Sequence, residues 1–174
     1  TGDDDFSFLD GCDNYFRFME CSDGLDRYYN FFLKRQNKST SNRNMLILFF
    51  DEWASYLNFL DKKKAEEEKR KLSNLLMLGR SFNVHVIISQ QRADAQYFST
   101  ARDNFNLVVG LGNLSPESKD MLFHDYKDQM ISDCRQGVGY VLTNGTDLAR
   151  ILVPTITNMD KLHHTIKSAV NNNT

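Results

Sequence analysis

The sequence has few cysteines, no long apolar run and almost no net charge. Only three of its 174 residues are cysteines (Cys12, Cys21 and Cys134), and their spacing matches no metal site. We expect reduced thiols, as in cytoplasmic proteins, with a Cys12–Cys21 disulfide as the alternative. No apolar stretch approaches the roughly 20 residues that a membrane-spanning helix needs. A net charge of -2 gives the chain as a whole no general attraction for nucleic acid, although a local basic face is compatible with it.

Several catalytic and metal-binding patterns are also missing. The sequence has no zinc-binding spacing and no Ser-His-Asp arrangement. It also has no Gly-x-x-x-x-Gly-Lys-Ser/Thr loop, whose backbone amides and lysine cradle the phosphates of a nucleotide. The length, with 41% hydrophobic and 25% charged residues, suits one globular domain with a core of its own.

The most informative stretch that is present runs from Met45 to Glu52, where six apolar residues lead into two carboxylates. Continuous apolar character predicts a strand that is buried on both faces, as in a parallel sheet. Open α/β sheets bind ligands at the carboxyl ends of such strands. There Asp51 can hold Mg²⁺ directly or through water, and Glu52 can polarise an attacking water. The alternative is a buried strand that ends in a solvated Asp-Glu turn, and this stretch alone does not decide between the two.

Strand and helix patterns alternate along the rest of the chain. The predicted elements are a helix from Ser22, strands at 45–50, 84–89 and 106–112, a helix from Ser115, a hairpin of 137–143 with 149–153, and a last amphipathic helix. This alternation predicts an α/β fold with a mostly parallel sheet, helices on both of its faces and a C-terminal hairpin. We expect one domain over residues 1–174, with a disordered tail at 172–174.

The dense charge run at 61–71 predicts an exposed helix. Glu66–Arg70 and Glu67–Lys71 are favourable pairs four residues apart, so a solvated helix face is a better interpretation than a DNA contact. The helix continues towards Gly79, where its apolar face should dock on the sheet.

The order of the polar motifs resembles a known family. Gly79-Arg80-Ser81 precedes the second strand, and Gln90-Gln91-Arg92 ends it. With Asp51-Glu52 before them, and Asn113–Lys119 and Gln136–Leu142 after them, they resemble the motor domain of the FtsK/SpoIIIE family over residues 45–157. The resemblance is strongest to the FtsK-like coupling ATPases of Gram-positive conjugative plasmids and transposons.

The resemblance implies a three-layer RecA-like P-loop ATPase core that forms a hexameric ring of identical subunits. Such a ring moves double-stranded DNA in conjugative transfer or chromosome segregation. By position, Asp51 would hold the Mg²⁺ of MgATP, Glu52 would activate the attacking water, and Gln91 would sense the γ-phosphate with Arg92 beside it. Relaxosome or secretion-channel proteins would be further partners, and the setting would be the cytoplasmic domain of a membrane-anchored protein.

Two parts of the family pattern are missing from this sequence. In the family the P-loop (Walker A) lies before the Walker B strand that Asp51 ends. We therefore expect the chain to be the C-terminal portion of a longer motor domain and to be inactive alone. A ring motor also needs an arginine from the neighbouring subunit. Leu107 stands at its position, and Arg102 or Arg92 are the candidates to replace it.

Two other functions stay open at this stage. A VirB4-like or HerA-like secretion or packaging ATPase shares the Walker B strand and the glutamine after the next strand. A non-catalytic interaction module would keep a RecA-like half-sheet and bind partner subunits. The block from Gly79-Arg80 to Gln91-Arg92 favours the FtsK-like interpretation, and a P-loop lysine upstream would distinguish a motor from a module.

Overall fold

The computed structural model describes residues 5–131 and 133–171, which fall into two compact units. One unit combines the residues up to Ser89 with those from Ile156 onward, and the other runs from Gln90 to Thr155. That the whole chain forms a single motor domain stays a prediction. The predicted tail at 172–174 lies outside the described residues.

The helices and strands follow the predicted order closely. The regular elements are α1 (Cys21–Gln36), β1 (Leu46–Asp51), α2 (Trp53–Phe59), α3 (Lys62–Leu78), β2 (Val84–Ser89), β3 (Leu107–Leu111), α4 (Pro116–Phe123), β4 (Val138–Thr143), β5 (Asp147–Leu152) and α5 (Met159–Asn171). Short 3-10 helices lie at Ser7–Leu9, Phe18–Glu20, Gly79–Phe82, Ala95–Tyr97, Ser99–Asn104 and His124–Gln129. Within the described part of the chain, no helix has the length and apolar composition of a membrane span.

In the first unit, β1 and β2 form a parallel pair. Their register runs from Leu46 opposite Val84 to Asp51 opposite Ser89, so both strands end together. A parallel arrangement of these two strands was predicted, and it is confirmed. The pairing places the Asp51-Glu52 turn next to the last residue of β2.

The two faces of this parallel pair differ in burial. One face carries the buried Phe50 and Val84, whereas the other leaves Ile47 and Phe49 each 52% exposed and Ile87 50% exposed. The prediction that β1 is buried on both faces is therefore wrong for the described structure. An apolar run establishes that both faces are apolar, but whether both are covered depends on what packs there.

Buried polar side chains fix α1 to the amino-terminal ends of the two strands. The Tyr28 hydroxyl lies 2.6 Å from the carbonyl oxygen of His85 and 2.9 Å from that of Leu46. Arg35, only 2% exposed, donates hydrogen bonds to three carbonyls in the connections that lead into these strands. Since each of these residues reaches both strands or their approaches, α1 holds β1 and β2 in register from one end.

Helix α3 has the predicted extent but not the predicted ion pairs. Asp61 caps its first turn by accepting a hydrogen bond from the Lys64 amide at 3.0 Å. Glu68 is fully buried and pairs with Lys64 at 2.8 Å and with Lys71 at 3.0 Å, and Lys71 also pairs with Asp26 of α1. The expectation of a solvated face is wrong at Glu68, because α3 packs against α1 and α2 along its charged stretch as well as its apolar one.

The second unit contains an antiparallel sheet in the order β3-β4-β5. The predicted hairpin of β4 and β5 is confirmed, and Asn144 and Gly145 both have positive φ at its turn. The prediction of one mostly parallel sheet is wrong for β3, which pairs antiparallel with β4. Glycines permit this pairing, since a Cβ added to Gly139 would lie 2.1 Å from the Gly110 carbonyl oxygen.

The core of the second unit lies between this sheet and the segment after β3. Its members are buried apolar or aromatic side chains: Phe123, Met130, Cys134, Tyr140 and Leu142.

All three cysteines of the chain are free, so the reduced-thiol prediction is confirmed and the Cys12–Cys21 disulfide is excluded from this structure.

Candidate functional site

Asp51 and Glu52 lie half-buried at the carboxyl end of β1, as predicted. Asp51 Oδ1 accepts a hydrogen bond from the Ser89 hydroxyl of β2. The Glu52 amide donates to the Ser89 carbonyl at 2.9 Å, which continues the ladder by one residue. Ser89 was not predicted to take part in the site; its position opposite Asp51 at a common strand end is the signal that could have found it.

Glu52 has an uncommon backbone conformation for a residue with a side chain. Its φ of 55° and ψ of 51° lie in the left-handed region, at the point where β1 turns into α2. Its carboxylate does not cap α2, and no hydrogen bond or ion pair engages it within the described residues. A strained residue with an unengaged carboxylate at a strand end is typical of a functional position.

An aromatic cluster behind the turn holds this conformation. Trp53, 1% exposed, packs edge-on against Phe50 with ring centroids 5.0 Å apart, and Tyr56 lies 5.1 Å from Phe50 and 5.7 Å from Trp53. Trp53 is thus a packing residue at the point where the strand turns into a helix. The cluster anchors the residues on both sides of Glu52, so its left-handed backbone is supported by burial.

Stability should fall in alkaline solution because of this cluster. Burial raises the pKa of Tyr56 from 10.0 to about 12, so the folded protein favours the neutral phenol. The resulting stabilisation is fully present below pH 10 and is lost as the pH rises from about 10 to about 12. Urea unfolding across this range should show the free energy of unfolding falling less steeply in Tyr56→Phe than in the wild type. Equal slopes would contradict the assignment.

Gln91 and Arg92 belong to the second unit, where both side chains are exposed. That they act together with Asp51 and Glu52 stays a prediction. The neighbouring Gln90 was assigned no role from the sequence. Its Oε1 is buried and has no hydrogen-bond donor among the described residues, so Gln90 is a second candidate for the sensing glutamine.

The candidate arginines also lie in the second unit. Arg102 pairs with Asp103 at 3.2 Å and is 44% exposed, and Leu107 begins β3 with 58% exposure. Both positions are accessible to another molecule. Which arginine serves a neighbouring subunit stays a prediction.

The site carries oxygen ligands and no preformed metal cage. Among residues 5–131 and 133–171, no three His, Cys, Asp or Glu side chains are grouped as a metal centre would require. Mg²⁺ commonly takes one or two protein carboxylates and fills its other positions with water and phosphate oxygens. The second carboxylate oxygen of Asp51 and the unengaged carboxylate of Glu52 fit that kind of site.

Comparison with known proteins agrees with the motif order. No protein-family model matches the sequence. Over 96 residues, 55% of its length, the chain is 32% identical to the FtsK domain-containing protein YdcQ of Bacillus subtilis. Part of this chain is therefore similar to an FtsK domain-containing protein. It spans 20% of that relative's length, so it corresponds to a small part of the relative.

Two solved structures share the fold of this chain. The cytoplasmic domain of the Type VII secretion ATPase EccC of Thermomonospora curvata superposes with a TM-score of 0.58 at 15% identity, over 86% of this chain and 20% of that one. The pCW3 conjugation coupling protein TcpA, in its monomer form with ATPγS, gives a TM-score of 0.60 at 16% identity, over 84% of this chain and 48% of that one. The resemblance to FtsK-like motor proteins is thus confirmed, and the chain has the mixed α/β fold of these ATPases.

Proposed function

We propose that this FtsK-like chain is part of an ATP-driven translocase of double-stranded DNA that acts in conjugative transfer or chromosome segregation. The observation that carries the proposal is the Asp51-Glu52 pair, half-buried at the carboxyl end of a parallel strand. The chain that contains this pair is 32% identical over 96 residues to an FtsK domain-containing protein. The likeness to a conjugation coupling protein with ATPγS supports ATP as the nucleotide.

Each residue of the site takes one role in this proposal. Asp51 would hold the Mg²⁺ of MgATP, with the Ser89 hydroxyl orienting its carboxylate. Glu52 would position the attacking water and accept its proton, since the Glu52 carboxylate is not otherwise engaged. Gln91 would sense the γ-phosphate, and Arg92 would contribute to nucleotide binding. Phosphoryl transfer depends mainly on such positioning and on charge stabilisation, with little covalent chemistry from the protein.

Exposed apolar strands support the proposal that a complete motor has further segments. In the first unit Ile47, Phe49 and Ile87 share an exposed sheet face. In the second unit Leu107, Val109 and Leu111 are 58%, 45% and 50% exposed along β3. The complete protein would supply the missing P-loop and cover these strands within a RecA-like three-layer core. Its assembly would be a hexameric ring, anchored at the membrane and acting with relaxosome or secretion-channel proteins.

A secretion ATPase is the second candidate function. The likeness to the cytoplasmic domain of a Type VII secretion ATPase favours it, at a TM-score close to that of the coupling protein. The chemistry at Asp51 and Glu52 would be the same, and the two functions differ only in the substrate that the motor moves. A non-catalytic interaction module is the third candidate.

ATP hydrolysis in two forms of the protein tests these functions. The isolated chain should not hydrolyse ATP above background, because it lacks the amides and lysine that cradle the β- and γ-phosphates. A longer form that includes an upstream P-loop should hydrolyse ATP faster when double-stranded DNA is added. Hydrolysis that DNA leaves unchanged would favour the secretion ATPase. An ATPase rate in the isolated chain that Glu52→Gln abolishes would contradict the proposal.

A further inference from the structure

Basic residues are concentrated at the end of the first unit that lies opposite Asp51 and Glu52. Residues 34–45 contain four lysines or arginines and no acidic residue, and residues 79–83 contain Arg80 and no acidic residue. These segments include the end of α1, the connection at 37–45 and the 3-10 helix Gly79–Phe82, which lead into the amino-terminal ends of β1 and β2. The positive charge therefore gathers where the strands begin, whereas the candidate ATPase carboxylates stand where β1 ends.

A pocket of about 350 Å³ opens at this basic end, beside Leu46. We call it the Arg35 pocket. Its other lining residues are Phe31, Lys34, Arg35, Ser39, Thr40 and Asn42. Apart from Phe31, these side chains all bear hydrogen-bond donors, and none bears a carboxylate. A pocket with this lining suits an anion that can accept several hydrogen bonds.

The charge of Arg35 is buried without a carboxylate partner. The guanidinium donates to the carbonyls of Asn44, Phe82 and Asn83 at 2.7, 2.8 and 3.1 Å, which uses three hydrogen bonds against its five N–H donors. No carboxylate among the described residues pairs with it. Burial and the nearby charge of Arg43 both lower the pKa of Arg35. A buried cation in this state is stabilised by any anion that enters the pocket beside it.

The ammonium group of Lys34 can contact such an anion. It is exposed, its ammonium lies 5.8 Å from the centre of the Phe31 ring, and no carboxylate pairs with it in the described part of the chain. The hydroxyl of Ser39 is exposed on the same rim, and the Ser39 amide donates to the Lys34 carbonyl at 2.8 Å, which holds the two residues together. A guanidinium, an ammonium and a hydroxyl thus surround one pocket.

We propose that the Arg35 pocket binds a phosphate group, either free or carried on a nucleic-acid backbone. A phosphate offers several acceptor oxygens and up to two charges, and it matches a guanidinium and an ammonium better than a single carboxylate does. The pocket is separated from Asp51 by the length of β1, roughly 17 Å. It is therefore a different site from the proposed ATPase centre, and neither proposal depends on the other.

Titration of the whole chain with inorganic phosphate tests the site directly. Phosphate should shift the amide NMR signals of residues 37–44, and Lys34→Gln should raise the dissociation constant about tenfold by removing one charge-assisted hydrogen bond. Ser39→Ala should raise it by a smaller factor. Lys62→Gln is the matched control, because Lys62 is an exposed lysine in the first turn of α3 and does not line the pocket. Both pocket variants change exposed side chains, so folding is preserved.

A short DNA duplex and polyglutamate distinguish the sources of the anion. Duplex binding that displaces phosphate, weakens in Lys34→Gln and falls with added salt would identify a nucleic-acid backbone as the source. Phosphate binding that the duplex does not displace would identify a free phosphate. Polyglutamate binding as tightly as phosphate would overturn the proposal, because it would show a general anion surface. Absence of shifts at millimolar phosphate, or equal dissociation constants in Lys34→Gln and Lys62→Gln, would also overturn it.

Discussion

Glu52→Gln, in a longer form of the protein that includes a P-loop, is expected to lower kcat for ATP hydrolysis by about 10²–10⁴-fold while KM changes little. Glutamine has the shape of glutamate but cannot accept the proton of the attacking water. Glu52 makes no hydrogen bond or ion pair that the fold would lose within the described residues. The loss should therefore appear in the chemical step alone, measured as steady-state phosphate release.

The matched control is Glu67→Gln, the same substitution at a half-exposed position of α3 to which no role in hydrolysis is assigned. It should retain the wild-type rate. Asp51→Asn should differ from both, since it weakens Mg²⁺ binding and so raises the Mg²⁺ concentration at half-maximal rate. A Glu52→Gln protein that keeps more than about a tenth of the wild-type kcat would contradict the role of Glu52 as general base.

Arg35→Met is expected to destabilise the isolated chain by roughly 3–5 kcal/mol, from the loss of a buried charged donor. The guanidinium joins the end of α1 to the carbonyls of Asn44, Phe82 and Asn83, at the approaches to both parallel strands. Methionine fills much of the same volume but leaves three acceptors without donors. Such a loss is a large part of the total stability of a small domain, so urea unfolding should move to much lower denaturant concentration.

Arg27→Met provides the control on the same helix. Arg27 is exposed and donates to the Asp13 carbonyl at 3.0 Å, so its replacement should cost less than about 1 kcal/mol. Arg35→Lys should fall between the two, because lysine keeps the charge but cannot reach three carbonyls at once. Equal unfolding midpoints for Arg35→Met and Arg27→Met would contradict the anchoring role of Arg35.

Local pattern predicted the parts of the site that depend on neighbouring residues in the chain. The apolar run into Asp51-Glu52 predicted a strand with carboxylates at its end, and the structure has both. The helix that begins after Ser115, whose hydroxyl accepts from the Ser118 amide at 3.2 Å, and the hairpin of β4 with β5 were also found in place. These features follow from backbone preferences and hydrogen bonds within a few residues.

Features that depend on distant contacts were missed or assigned wrongly. Glu68 stands in a charge run that suits a solvated helix face, yet it is buried between two lysines. Arg35 lies in the last turn of its helix, but its guanidinium joins that helix to two strand approaches. Ser89 takes part in the site only because its strand ends level with Asp51. The spacing of neighbouring residues in the sequence does not indicate any of these contacts.

The sequence by itself determined the order of strands and helices, the carboxylate pair at the end of β1 and the likeness to FtsK-type motors. It did so because periodicity, capping and motif order are properties of short segments read in series. Only the tertiary structure decided that β3 pairs antiparallel with β4 and that one face of β1 and β2 is exposed. Strand partners and burial depend on segments that are far apart in the chain. Here they depend on the close approach of Gly110 and Gly139 and on the packing of α1 and α3.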